Sequence, residues 1–348
     1  PRTVGAGAWG LGRGGFAALI ESNVPVIAER DMTWGTSART GSHAGSSVPE
    51  PALTWYFAEG ATHLGFDLFY LLQNPGPSPA DVQIKYLLPQ GPPVFKTYTV
   101  GAHSRATIWV DGEPELSSTG VAAVITSSQP IVVERSMYLS TGGQVFRGGH
   151  NSAGVTAPAV RWLFAEGATG DFFDCFIPLV NPEPIAADVA ATFYLLDGQT
   201  VTKSHRIAPE SRATIWVDYE DPLLANAAFS IEIVSTNGVS IVAERTMWWP
   251  GPTPATWQEG HNSPGISAPG TRWAIADAGA GFVTDTYLLI ANVSTQPTTV
   301  RITLLSEFRA PVERAFNVGP ERRLTLNMAI EFPGIRPGIA ALVESLEP

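Results

Sequence analysis

One cysteine, Cys175, stands among 348 residues, so no intramolecular disulfide holds this chain together and burial and hydrogen bonding must do that work. Missing disulfides are a mark of reducing compartments, yet large domains outside the cell also manage without them, and the cue weighs little. Lysine is nearly absent: Lys85, Lys96 and Lys203 stand against 18 arginines. Lys96 and Lys203 occupy corresponding positions while the third such position is Glu313, which argues against a Lys–Asn isopeptide staple in every repeat. No apolar run reaches the roughly 18 residues that span a bilayer. Positive charge is short as well, and a net charge of −11 repels the phosphates of nucleic acid. The expected partners are therefore other copies of the chain or cell-surface components, polysaccharide among them, with no nucleic acid and no membrane span in this segment. The chain opens on Pro1, so an export signal is expected to have been removed or to lie outside it.

What is present is repetition. Trp55-Tyr-Phe-Ala-Glu-Gly-Ala-Thr62 returns as Trp162-Leu-Phe-Ala-Glu-Gly-Ala-Thr169 and, more loosely, as Trp273-Ala-Ile-Ala-Asp-Ala-Gly279. Ser104-Arg-Ala-Thr-Ile-Trp-Val-Asp111 recurs unchanged at Ser211 to Asp218, and Glu29-Arg30, Glu134-Arg135 and Glu244-Arg245 precede Met32, Met137 and Met247. Solenoid units run to about 20–50 residues, so a period near 110 means one small domain per repeat. The expected divisions are 1–50, the back part of a truncated sandwich repeat plus linker; 51–158 and 159–269, full repeats; and 270–348, a repeat lacking its last strand. Both ends thus cut through a unit. Either the chain is an excerpt of a longer array, or its first strands complete a neighbour's last domain.

Residues 162–249 carry seven runs rich in Val, Ile, Thr, Phe, Tyr and Trp: Trp162–Ala168, Cys175–Asn181, Ala187–Leu196, Gln199–Ile207, Arg212–Asp218, Phe229–Ser235 and Val239–Trp249. Asn181-Pro-Glu-Pro184, Asp197-Gly198 and Pro209-Glu-Ser211 separate them with turn chemistry. No segment sustains a helical period. The expectation is all-β: tandem immunoglobulin-like β-sandwich domains of about seven strands, each with its own core. In the first unit Phe16-Ala-Ala-Leu-Ile-Glu-Ser22 aligns with the strand at Val121–Ser127. The Gly/Pro/Ser-rich stretches Gly35–Thr54, Ser140–Arg161 and Pro250–Arg272 read as connections, each around one histidine, and the recurrence of that histidine predicts connections that dock.

A polar constellation travels with them. His43, His150 and His261 stand at the same distance before Glu59, Glu166 and Asp277, and Asp67, Asp174 and Asp285 follow at a second fixed step. With Arg30, Arg135 and Arg245 these residues are expected to form a hydrogen-bonded junction between repeats, the carboxylate neutralising the arginine. A histidine with two carboxylates also has the ingredients of a metal site, with His150, Glu166, Asp174, His261, Asp277 and Asp285 as candidates. A single histidine without a dense acidic loop falls short of ligand spacings, so no metal and no cofactor is expected. No catalytic residue is expected either. Gly10-Leu-Gly12 lacks a βαβ context, the serines two residues from His150 and His261 lack an oxyanion hole, and an active site gains little from repetition along an array. Trp55, Trp162 and Trp273 read as anchors of the fold. Trp248, Trp249 and Trp257 occur in one repeat only and are the candidates for carbohydrate contact. Asn292-Val-Ser294 is a glycosylation sequon.

The Trp-x-Phe-Ala-Glu-Gly opening, the Tyr70-Leu-Leu-Gln-Asn-Pro75 step, the Ser-Arg-x-Thr-Ile-x-Val-Asp strand, the Ile-Val-x-Glu-Arg-x-Met strand and the Gly-His-x-Ser-x-Gly connection together resemble a repeat found in tandem in large secreted or surface-attached bacterial proteins of unassigned function. The resemblance covers nearly the whole chain. It implies an immunoglobulin-like scaffold in an extracellular or cell-surface setting, with no substrate and no catalytic residue. The third copy departs from it at Asp277, Arg322-Arg323 and Asn327. The expected role is a non-enzymatic structural protein, a stalk, fibre or surface-layer filament. An adhesin or glycan-binding array is the alternative, and the stalk of a larger secreted enzyme the third reading.

Overall fold

The computed structural model describes residues 2–11, 14–36, 39–279, 285–307, 309–336 and 338–345. Strands take up 55% of the chain and helices 5%, which makes the class all-β. Two compact units form: Arg30–Phe193 with Thr200–Ala268, and Pro1–Glu29 with Tyr194–Gln199 and Pro269–Pro348.

The larger unit begins with a two-stranded hairpin, β1 (Glu29–Thr36) and β2 (Arg39–Ser46). The second repeat follows with β3 (Ala52–Phe57), β4 (Phe66–Asn74), β5 (Ala80–Leu87), β6 (Val94–Val100), β7 (Ser104–Trp109), β8 (Ala122–Thr141) and β9 (Gln144–Ala153). Strand β8 serves two sheets. Its first half pairs with β3 and β5, and its second half, which carries Glu134-Arg135, pairs with β4 and β9. One layer is therefore β3-β8-β5-β6, here called the lateral sheet. The other is β7-β4-β8-β9, the joint sheet. Alternation builds the layers: every second residue of β4 and of the first part of β5 is buried, and Leu68, Tyr70, Leu72, Val82 and Ile84 face the interior.

The third repeat has the same plan in separate strands: β10 (Arg161–Phe164), β11 (Asp174–Asn181), β12 (Ala187–Leu195), β13 (Thr200–Ile207), β14 (Ser211–Trp216), β15 (Phe229–Ser235), β16 (Val242–Trp249) and β17 (Glu259–Pro264). Its lateral sheet is β10-β15-β12-β13 and its joint sheet β14-β11-β16-β17. The run expected as a strand through Asp218 stops at Trp216. Residues Val217–Tyr219 turn into a 3-10 helix, and the Asp218 carboxylate accepts hydrogen bonds from the backbone of Gly170 and Cys175. A side chain that bonds a neighbouring loop competes with the ladder and ends it.

The smaller unit holds the fourth repeat: β18 (Arg272–Ile275), β19 (Tyr287–Asn292), β20 (Thr298–Ser306), β21 (Val312–Val318), β22 (Arg322–Asn327), helix α1 (Met328–Glu331) and β23 (Ile339–Ser345). Among the described residues its lateral sheet is β18-β23-β20-β21 and its joint sheet holds β19 and β22. Asn327 replaces the tryptophan of the other copies because it caps α1, its Oδ1 accepting from Ala329 and Ile330.

Three expectations are corrected. Residues 16–22 form no strand and are exposed. The matching strands β8 and β23 each lie between two neighbours, and no second and third strand flank residues 16–22 among those described. The histidine stretches are not loops: β2, β9 and β17 are strands, because the segments fold back along the Glu-Arg strands as hairpins. The interior of the second repeat takes in side chains of the third. Phe66, Leu68 and Met137 belong to one buried cluster with Trp248 and Trp257, and Phe176 packs against it.

The candidate junction between repeats

In the larger unit β9 packs against both β2 and β17, so three Gly-His strands lie side by side. Glycine permits the approach: a Cβ on Gly148 would sit 2.0 Å from the carbonyl oxygen of Gln258. Behind these strands Arg135 is fully buried and makes the central contact. Its Nη1 donates to Glu244 Oε2 at 2.7 Å and to the Glu59 carbonyl at 3.0 Å, and its Nη2 lies 2.9 Å from Glu59 Oε2. Glu244 comes from the third repeat. Its other oxygen accepts from the backbone N–H groups of Ala58 at 2.7 Å and Glu59 at 3.4 Å. Thr246 donates to Glu59 Oε1 at 2.6 Å, and Asn262 donates to Thr246 at 2.9 Å. His150 Nε2 is 3.4 Å from Glu59 Oε2, and its ring packs on Trp248 with centroids 5.3 Å apart. A second bridge lies beside the network: Lys85 pairs with Glu210, and Arg212 donates from its backbone to Leu88 and from Nε to Ala58.

The first joint repeats the logic at lower burial. Arg30 donates to Glu134 at 2.8 Å and to Asn151 Oδ1 at 2.7 Å, while the Asn151 amide donates to Glu134, Ser136 and the Arg135 carbonyl. An arginine on one Glu-Arg strand thus meets the glutamate of the next, Arg30 with Glu134 and Arg135 with Glu244. In the third repeat Arg245 pairs with Glu166, and its Nη2 lies 3.0 Å from His261 Nδ1, which must accept and so belongs to a neutral ring. In the smaller unit Glu29 accepts from the backbone of Ala276 at 3.0 Å and Asp277 at 3.1 Å, as Glu244 accepts from Ala58 and Glu59.

Burial works to raise the Glu59 carboxyl, and the charges of His150 and Arg135 with the Thr246 bond outweigh it and hold it at about 2. Burial, followed by the charges of Arg30 and His150, lowers the His43 ring to about 4. His43 packs against Trp34 and Tyr138. The folded chain keeps His43 neutral where the unfolded chain would protonate it below its ordinary 6.5, so unfolding takes up a proton there. Its contribution is complete above pH 6.5 and is lost as pH falls toward 4. Glu59 adds a second loss between 4.5 and about 2. Between pH 6.5 and 4 the urea midpoint of His43→Gln should fall less steeply with pH than that of the parent chain, while His261, which burial lowers to about 4, keeps its own share, and an unchanged slope would refute the assignment.

Of the residues singled out by sequence, Arg135, Glu59 and His150 meet, as do Arg245, Glu166 and His261. Arg30 and His43 lie at the first joint, and Asp277 meets Glu29 through its backbone. The aspartates do not join. Asp67 accepts from Trp109 Nε1 at 3.2 Å, Asp174 accepts from Trp257 Nε1 at 2.6 Å, and Asp285 lies just before β19. Among the described residues no three His, Cys, Asp or Glu side chains are placed to hold a metal ion. The sequence reading passed over Glu29, Glu134 and Glu244 as partners of the arginines, and Asn151, Asn262 and Thr246 altogether. The signal for the glutamates was present in the recurring Glu-Arg dipeptide.

The proposed carbohydrate contact is corrected. Trp248 and Trp257 are buried and stacked on one another at 5.6 Å, and Trp249 is half-buried. Trp248 and Trp257 fill space between repeats and offer no face to a sugar, and Trp249 packs edge-on against Phe173 of its own repeat. The sequon is corrected too. Asn292 is buried, its amide donating to the carbonyls of Gln296, Val318 and Gly319, the same turn clamp that Asn74 and Asn181 make. Lys96 pairs with Glu113 and Glu115, and Lys203 with Asp221. Burial pushes the Cys175 thiol up to about 12, which leaves it inert as a nucleophile near neutral pH.

No family model matches the chain, and no curated protein sequence matches it. Among solved structures it is similar to Thermotoga maritima 1070, at 16% identity over 31% of this chain and 96% of that one, with a TM-score of 0.29. It is similar to the Anabaena sensory rhodopsin transducer at 28% identity, over 26% of this chain and 99% of that one, with a TM-score of 0.23. A tetra-tandem repeat in the extending region of a large adhesion protein aligns with 86% of this chain and 73% of that one, at 12% identity and a TM-score of 0.13.

Proposed function

We propose that the chain is a non-enzymatic structural protein of the cell exterior, a tandem β-sandwich array of the resembled bacterial repeat that serves as a stalk, fibre or surface-layer filament. The observation that carries the reading is the interlock at Arg135. A guanidinium of one repeat is fixed by a carboxylate of the next, and that carboxylate also takes two backbone N–H groups of the first. Such a joint resists bending and sliding, because either motion leaves buried charges and amides without partners. Together with the shared apolar cluster, it couples two repeats into one mechanical element. The test is single-molecule extension between handles at residues 51 and 268. One rupture releasing both repeats supports the reading, and two independent ruptures refute the coupling. Surface labelling of intact cells tests the location.

A second reading, a glycan-binding array, has one observation in its favour. The lateral sheet of the second repeat carries an open groove of about 540 Å³ lined by Asp81, Gln83, Thr97, Thr99, Thr126 and Ser128, whose hydroxyl, amide and carboxylate groups suit a sugar. Binding on a glycan array that is lost in Gln83→Ala/Thr97→Ala would favour it over the structural role.

A further inference from the structure

The groove on the lateral sheet of the second repeat is floored by exposed polar side chains, of which Asp81 alone carries charge. Strand register places Gln83 between Thr126 and Thr97 on the neighbouring strands, and Asp81 opposite Thr99. The Thr99 hydroxyl donates to Asp81 Oδ1 at 3.1 Å, and Ser128 Oγ accepts from the Asp81 backbone at 2.9 Å. Phe95 stands two residues before Thr97 on the same side of β6 and is 53% exposed. The other copies close these positions. Where the second repeat has Asp81 and Thr99, the third has the ion pair of Asp188 with Arg206. Where it has Gln83 opposite Thr126, the fourth has Arg301 opposite Glu344, paired at 2.7 Å, and the third has Ala190 and Val234, whose side chains offer no hydrogen bond. Among the three described lateral sheets, the second repeat's alone keeps an uncharged hydrogen-bonding floor. A neighbouring repeat leaves this face open: in the third repeat the Asp188 and Arg206 side chains are 43% and 68% exposed although the second repeat precedes them.

We infer that this face of the second repeat binds a polysaccharide of uncharged sugars, held by Gln83, Thr97 and Thr126 and stacked on Phe95. Hydroxyl and amide groups both donate and accept, so they can trade hydrogen bonds with sugar hydroxyls without stripping water from an ion. The Phe95 ring offers an apolar surface to the C–H face of a pyranose. An acidic polymer is disfavoured by the Asp81 carboxylate and by the net charge of −11. The groove is open, so one contact buries little surface and the affinity is modest. The inference rests on the glycan-binding reading and narrows it to one of the three described lateral sheets and to one class of sugar.

Electrophoresis of the whole chain through gels containing dextran, mannan or xyloglucan, with polygalacturonate as the acidic control, tests it. At least one neutral polymer should retard the chain, and the acidic one should not. Gln83→Arg/Thr126→Glu installs the ion pair of the fourth repeat at two exposed positions, and should weaken retention at least about tenfold while the melting temperature stays unchanged. Phe95→Ala should weaken it about three- to tenfold through the lost stacking surface. Retention that survives the double substitution, or retention by polygalacturonate alone, overturns this inference and leaves glycan binding elsewhere on the chain standing. No retention by any of the polymers overturns the inference and the glycan-binding reading together.

Discussion

Glu244→Ala is expected to lower folding stability by about 3–5 kcal/mol, because the substitution strands a buried guanidinium. Arg135 loses its 2.7 Å partner, and the backbone N–H groups of Ala58 and Glu59 lose their acceptor in the same step. Burial prevents water from replacing either contact. The comparison that isolates the cause is Glu134→Ala, where Glu134 faces Arg30, an arginine 44% exposed at the side chain. A solvent-screened pair of that kind is worth under about 1 kcal/mol. Urea denaturation of both variants, with the linear dependence on denaturant checked for a constant slope, measures the difference. A third variant separates the charge from the backbone contacts. Glu244→Gln loses the charge facing Arg135 but keeps an acceptor oxygen for the N–H groups of Ala58 and Glu59, so it should cost less than Glu244→Ala. Equal effects of Glu244→Ala and Glu134→Ala would show that the interlock does not hold the repeats together.

Trp257→Ala should cost about 3–5 kcal/mol, the range for emptying a large aromatic from a core. The ring is stacked on Trp248 and packed edge-on against Phe176, and Phe66 lies 6.3 Å away across the repeat boundary. Its Nε1 also satisfies the Asp174 carboxylate at 2.6 Å, which would be left buried without that donor. Trp257→Phe keeps most of the volume and removes only the hydrogen bond, so it should cost less than the alanine. The distinguishing measurement is hydrogen exchange in the second repeat. If the apolar cluster is shared, amides of Phe66 to Leu72 lose protection although the substitution lies in the third repeat. Loss confined to residues 159–268 would return the array to independently cored beads.

The class of the fold was legible because its signals are local. The runs rich in β-branched and aromatic residues, the Asn-Pro and Asp-Gly turns and the absence of any helical period each act over a few residues, and the seven runs of the third repeat became seven strands. The recurring His, Glu and Arg were legible as a set, and Arg135, Glu59 and His150 do meet. Their partners were not. The Trp248 and Trp257 side chains show why: aromatic residues confined to one copy look the same in a sequence whether they face a ligand or fill a gap between neighbours. Residues 16–22 make the same point from the other side, since an apolar run fit for a strand stays irregular where no strands flank it.

By itself the sequence determined the all-β class, the period, the strand content of a repeat and the residues that recur, since each follows from backbone preference and short-range pattern. The tertiary structure alone decided that the histidine stretches are strands, that Arg30 meets Glu134 and Arg135 meets Glu244, and that Trp248 and Trp257 of the third repeat enter the core of the second. Those outcomes depend on which surfaces come together from distant parts of the chain, and burial, which turns an ordinary Glu-Arg pair into a lock, exists only once they have.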